Sequence, residues 1–164
     1  MAGEHTFAAE LVTPETALFA GEATAVITRT SEGDLTVLDG HTPLVGDVVP
    51  GIVRIERPDG TTVGFCVHGG FLQVASAPGA AAGLVEGVGA GDRSTRVSVL
   101  AGVAEAVSQI DAQRAQAARD AATARLAELA SRDDEDARVE RGYTELALAR
   151  AQLRLEAAGG PVAQ

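Results

Sequence analysis

Near residue 104 the sequence changes character, and that break constrains the fold more than any other feature. Before it, short apolar runs alternate with glycine, proline and aspartate turns; from 104 to 158 the chain is dominated by Ala, Arg, Glu, Leu and Gln. The first pattern specifies strands joined by tight turns, and the second specifies helices. The predicted class is α+β. An N-terminal antiparallel β-sandwich spans 1–104, and a C-terminal antiparallel two-helix hairpin lies within 105–164, its helices ending near 158 before a short flexible tail.

The strands can be read one by one. Residues 7–12 form a first strand stopped by Pro14, residues 18–21 a short apolar element, and 23–29 a strand rich in β-branched residues. Residues 31–51 hold two apolar runs punctuated by Glu32-Gly33-Asp34, Asp39-Gly40 and Pro50-Gly51. His41, Thr42 and Pro43 occupy the tip of the middle turn, where polar groups face a partner. Residues 52–56 and 62–67 flank Pro58-Asp59-Gly60 as a hairpin, with Val53 and Ile55 on one face and Val63, Phe65 and Val67 on another set. Gly69-Gly70 points to a bulge or close strand packing, because a phosphate loop would require a following helix and a lysine. The Gly/Ala-rich tract at about 76–96 reads as a long, mobile hairpin loop.

In the helical half, Ser108 followed by Asp111 reads as a capping box with Ser108 at the cap. Ala115, Ala118, Ala122, Leu126 and Leu129 recur at helical spacing. An acidic turn at 131–136 leads to a second helix carrying Val139, Tyr143, Leu146, Arg150 and Leu153, closed by Gly159-Gly160-Pro161. The seam is narrow and Ala-rich, so the hairpin depends on its surroundings and suits a movable arm.

Charge and composition exclude several functions. The net charge is −10, which argues against nucleic-acid binding and against direct insertion into anionic membranes. All thirteen basic residues are Arg, so no P-loop lysine exists. The single Cys66 rules out a disulfide framework or a cysteine metal cluster. No apolar stretch approaches the ~20 residues that span a bilayer, and Glu4 stands where a signal peptide carries positive charge. His5, His41 and His68 lack metal-ligand spacing, and no serine sits in a nucleophile elbow. The sequence therefore assigns no catalytic residue and no metal ligand.

The order of motifs resembles the epsilon subunits of bacterial F-type ATP synthases, of actinobacterial type. The resemblance rests on T-P-E-T-A-L-F-A-G at 13–21, E-G-D-L at 32–35, G-H-T-P-L at 40–44 and P-G at 50–51. It continues through G-G-F-L-Q-V at 69–74, V-S-V-L-A at 97–101 and I-D-A-Q-R-A at 110–115. The chain departs from the pattern at the 76–96 insertion, at Thr36 (usually Gly) and at Ala121 (Arg in nucleotide-binding relatives).

The resemblance implies a non-catalytic central-stalk subunit on the cytoplasmic face of the inner or plasma membrane, peripheral and joined through other subunits. Its sandwich would dock on the gamma subunit and the c ring, with Glu32, Asp34, His41 and Pro43 as contacts. Its hairpin would inhibit ATP hydrolysis when extended along gamma toward the alpha and beta subunits. No cofactor is required, and ATP, with magnesium, would serve as a regulatory ligand. The implied site comprises Glu105, Ile110, Asp111, Arg114, Ala115, Arg150 and Arg154. The chemistry is coherent: Asp111 accepts from an adenine amino group or ribose hydroxyl, and the arginines hold phosphate. From the motif's six residues alone, a capping Asp beside a solvent-facing Arg accounts for the spacing as well. The alternative for the whole chain is a free-standing β-sandwich adaptor domain with a coiled-coil tail.

Overall fold

A computed structural model describes residues 5–76 and 95–160. Ten strands precede two helices: β1 (Phe7–Val12), β2 (Ala17–Ala23), β3 (Ala25–Thr30), β4 (Gly33–Val37), β5 (Leu44–Val48), β6 (Gly51–Glu56), β7 (Thr62–Val67), β8 (Gly70–Ser76), β9 (Thr95–Ala101) and β10 (Ala104–Ala106). A 3₁₀ turn at Val107–Gln109 leads into α1 (Ala112–Leu129) and α2 (Glu135–Gly159). The chain divides into two compact units, Met1–Ala106 and Val107–Gln164.

The strands form two five-stranded sheets, ordered β2-β1-β9-β8-β5 and β10-β7-β6-β3-β4. All neighbours run antiparallel except β1 and β9, which pair in parallel from Ala8 opposite Arg96 to Val12 opposite Leu100. Alternation puts Phe7, Ala9, Leu11, Leu72, Val74, Val97 and Val99 of one sheet against Val26, Val37, Val53, Ile55, Phe65 and Val67 of the other. Each such fully buried Leu, Ile or Phe contributes about 1.5–3 kcal/mol relative to an exposed one. Phe19 closes one end, packing edge-on against Phe65 with ring centroids 6.3 Å apart. The β6–β7 hairpin forms around Gly60, whose φ of +80° explains a glycine there.

Two positions depart from simple alternation. Glu10 of β1 is fully buried on the face of its sheet opposite to Leu11, and Arg96 and Ser98 of β9 are buried beside it. Ser98 Oγ donates to Glu10 Oε1 at 2.5 Å, and an Arg96 guanidinium nitrogen lies 3.9 Å from the same oxygen. A carboxylate out of water requires such partners. The second departure is β10. Its Ala-Glu-Ala sequence favours helix, yet it adds to the edge of β7 and carries the first unit to Ala106, two residues past the expected 104.

The Gly/Ala-rich loop lies largely outside the described residues. The strands that flank it pair antiparallel as far as Ser76 opposite Thr95, so Ala75, Ser76, Thr95 and Arg96 belong to the sheet.

The helices form a hairpin whose seam differs from the predicted one. On α1 the buried residues are Ala115, Ala122 and Leu129, spaced seven apart, while Ala118 is exposed. On α2 they are Ala137, Ala151 and Ala157. The predicted stripe on α2 is instead turned outward, with Val139 52%, Tyr143 71% and Leu146 57% exposed. Small side chains let the two backbones approach, while Leu126, Leu148, Leu153 and Leu155 are half-buried.

Arg125 fixes the register by bonding Glu140 on α2, with Nε to Oε1 at 2.7 Å, and Glu128 on its own helix at 2.6 Å. Glu128 first, then Glu140, hold its pKa above the ordinary arginine value. Arg141 donates to the Leu129 and Arg132 carbonyls, both at 2.9 Å, satisfying acceptors that the end of α1 leaves open.

The acidic turn is a capping device. Asp134 caps α2, accepting from Ala137 N at 3.0 Å, and Arg132 bonds both its oxygens. The Arg132 contact, then the Ala137 N–H, hold the Asp134 carboxyl below its usual pKa. A carboxylate with a lowered folded pKa stabilises above the ordinary Asp value and loses that contribution as pH falls through the folded value. Helical circular dichroism of the full chain is therefore expected to decline below about pH 4, and Asp134→Asn to remove part of that acid limb. An unchanged acid limb in the variant would exclude the cap as its source.

Candidate functional site

The I-D-A-Q-R-A motif opens the helical unit. Ser108 belongs to the 3₁₀ turn, where Ile110 N donates to Val107 O at 3.2 Å, so the helix cannot start at the expected cap. Asp111 takes that role in extended conformation, and its Oδ1 accepts from Arg114 N at 2.9 Å. The Arg114 guanidinium is exposed, Ile110 is half-buried, and Ala115 lies on the buried face of α1. Ala115 therefore works in helix packing and not as an open floor for a planar ring.

The Arg125–Glu140 register brings residues near Ala115 level with Ala151 on α2. Arg150 and Arg154 accordingly lie on the part of α2 that is level with the first turns of α1. Arg154 is half-buried at the seam border, and Arg150 is exposed, on the outward stripe with Leu146. Asp111, Arg114, Arg150 and Arg154 thus stand at the same level of the hairpin, with Arg150 turned away from the seam, at the end where the first N–H groups of α1 are left open. Glu105 belongs to the other unit, on β10 opposite Cys66.

On the sandwich, Glu32 and Asp34 line a cleft of about 550 Å³ together with Asp47. Asp47 was not singled out from sequence. It holds the β3–β4 turn, accepting from Ser31 N at 3.2 Å and Ser31 Oγ at 2.8 Å. His41 and Pro43 do not line this cleft. His41 is tied into its loop, with Nδ1 2.8 Å from Thr42 O and its own carbonyl accepting from Ser76 Oγ at 2.6 Å. Pro43 is exposed.

A second cleft, of about 770 Å³, is mostly apolar and runs between the β1–β2 turn and the ends of β8 and β9. Phe71, 62% exposed, and Leu100, directly opposite it across the ladder, form its apolar wall. Gly69 and Gly70 line it too. Gly69 has φ of +113°, and a Cβ on Gly70 would stand 2.1 Å from Leu100 O. The paired glycines are thus a close strand approach and not a phosphate loop.

One constellation escaped the sequence reading. Cys66, His68 and Glu105 bring one donor atom each to within 4.8 Å of one another. The alternate spacing of Cys66 and His68 along a strand was its only local signal; Glu105 arrives through the β7–β10 pairing.

Residues 6–77 match the family model described as ATP synthase, Delta/Epsilon chain, beta-sandwich domain. The ATP synthase epsilon chain of Streptomyces coelicolor is 35% identical over 150 residues, covering 92% of this chain and 93% of that one. The epsilon chain of Streptomyces avermitilis is 39% identical over 107 residues, covering 65% of this chain and 72% of the relative. Among solved structures, a chain of the mitochondrial ATP synthase OSCP/F1/c-ring assembly of Euglena gracilis shares the fold. Its TM-score is 0.68 at 24% identity, covering 94% of this chain and 81% of that one.

Proposed function

The chain belongs to the ATP synthase epsilon-chain family, and from that premise we propose that it is a non-catalytic rotor subunit coupling the gamma subunit to the c ring. The sandwich docks on both. The helical hairpin moves between a compact form and an extended form that lies along gamma against the alpha and beta subunits and restrains ATP hydrolysis. The observation carrying this reading is the outward apolar stripe of Val139, Tyr143 and Leu146 on a hairpin whose own seam is mostly alanine. Such a helix keeps an apolar face for another partner.

Two further features support docking by the sandwich. The Phe71–Leu100 cleft suits an apolar partner surface, and the cleft of Glu32, Asp34 and Asp47 suits cationic groups. His41 and Pro43 extend the contact surface. Among the described residues no helix is long and apolar enough to cross a membrane. The subunit is held peripherally on the cytoplasmic face by its partners and does not bind nucleic acid.

ATP, with magnesium, binds the compact hairpin and opposes its extension by favouring one state over the other. Asp111, Arg114, Arg150 and Arg154 supply the polar contacts, with Ile110 and Ala115 behind them. The outward N–H groups of α1 add to the attraction for phosphate.

Tagged full chain, expressed in its host and purified from gently solubilised membranes, should recover alpha, beta and gamma subunits. Their absence would reject the rotor assignment. Titration of the pure chain with ATP and magnesium should release or absorb heat at saturable binding. Asp111→Ala and Arg114→Ala should each weaken that binding by about tenfold or more, as loss of a charge-assisted hydrogen bond implies. Parent-like affinity in both variants would reject the site while leaving the rotor assignment intact.

A further inference from the structure

We propose that Cys66, His68 and Glu105 form a zinc-type metal site at the β10 edge of the second sheet. The backbone assembles it. Cys66 lies near the end of β7 and His68 directly follows that strand, two residues on, and Glu105 stands directly opposite Cys66 in the ladder. The three donor atoms lie within 4.8 Å of one another, and Cys66 Sγ is 4.0 Å from His68 Nε2. Zinc bonds of about 2.0–2.3 Å in tetrahedral geometry separate ligands by roughly 3.3–3.8 Å, so modest side-chain rotation closes the triad around an ion.

The donor chemistry selects the metal class. Thiolate, imidazole and carboxylate together suit zinc or cobalt, whereas magnesium and calcium prefer an all-oxygen shell. Cys66 is fully buried while His68 and Glu105 are half-buried. The thiolate is thus shielded at the back and the ion enters from the histidine and glutamate side. Three protein ligands leave a fourth position for water. On binding, the Cys66 S–H ionises, its sulfur electron pair forms the bond to the metal, and the proton passes to buffer. His68 donates from its neutral ring and Glu105 as carboxylate, each exchanging its present contacts for the ion.

The test uses reduced, chelator-treated full chain titrated with cobalt(II) and then zinc(II). Cobalt should produce thiolate-to-metal charge-transfer absorption and tetrahedral ligand-field bands, saturating at one ion per chain and bleached by zinc. Cys66→Ser should abolish the charge-transfer band. His68→Ala and Glu105→Gln, at positions outside the core, should weaken cobalt binding by about tenfold or more with unchanged circular dichroism. Absence of the thiolate band in the parent chain, or parent-like affinity in both half-buried variants, would overturn the site.

Discussion

Gly70→Ala is expected to destabilise the β-sandwich at the upper end of the roughly 1–3 kcal/mol that overpacking costs. The new Cβ would stand 2.1 Å from Leu100 O and 3.0 Å from Ala101 Cα, both backbone atoms of the neighbouring strand. A flexible side chain could swing away from such a contact; a strand paired on both sides cannot without shifting its ladder. Gly70 opens β8 opposite Ala101, so the shift would reach the Phe71–Leu100 pair and the apolar cleft beside it. Urea unfolding of the full chain measures the effect. Gly46, whose Cβ would meet only Leu44 Cδ1 at 3.8 Å, provides the control: Gly46→Ala should cost far less. Equal midpoints for the two variants would refute the strand-contact explanation.

Leu129→Ala should produce the largest loss in the helical unit, within the roughly 2–5 kcal/mol range for buried Leu truncations. Leu129 is fully buried, whereas the other buried residues on the two helices are all alanines. Its four-carbon side chain therefore supplies much of the apolar burial that keeps α1 and α2 together. Tyr143→Ala removes a larger side chain from an exposed position and should leave thermal stability nearly unchanged. Following the helical signal at rising temperature in both variants separates the two roles. Comparable losses would mean that the outward stripe, and not the alanine face, holds the hairpin.

That contrast also shows where reading the sequence succeeded and where it failed. Strands bounded by Pro14, Asp39-Gly40 and Asp59-Gly60 were legible because turn chemistry is local. The hairpin was legible because helix-forming composition is additive along the chain. The seam of α2 was not. A periodicity of large apolar residues at 139, 143, 146 and 153 is a statement about hydrophobicity, but the buried positions of α2 are small ones, Ala137, Ala151 and Ala157. The cap moved from Ser108 to Asp111 because a 3₁₀ turn, which no residue pattern announced, occupies the intervening positions. The donor triad depends on a short strand pairing across a long sequence separation, and strand pairing of that kind leaves no periodic trace. At the start of α1 the motif supplies the cap through Asp111, and Ala115 is buried in packing.

The parallel pairing of β1 with β9 has a consequence for how the protein is made. A ribosome delivers β1 first, yet one of its two neighbours emerges only after almost the whole sandwich has been synthesised. Until then a nascent chain can form the β1–β2 hairpin, but the β1 edge stays open, with Glu10 lacking Ser98 and Arg96. Closure is necessarily among the last events of folding, and distant pairings of this type are slow. Chains released early, before β9, would present an unpaired strand edge, the kind of template on which other chains assemble. Chaperone demand during synthesis should therefore peak as the tract between β8 and β9 leaves the ribosome.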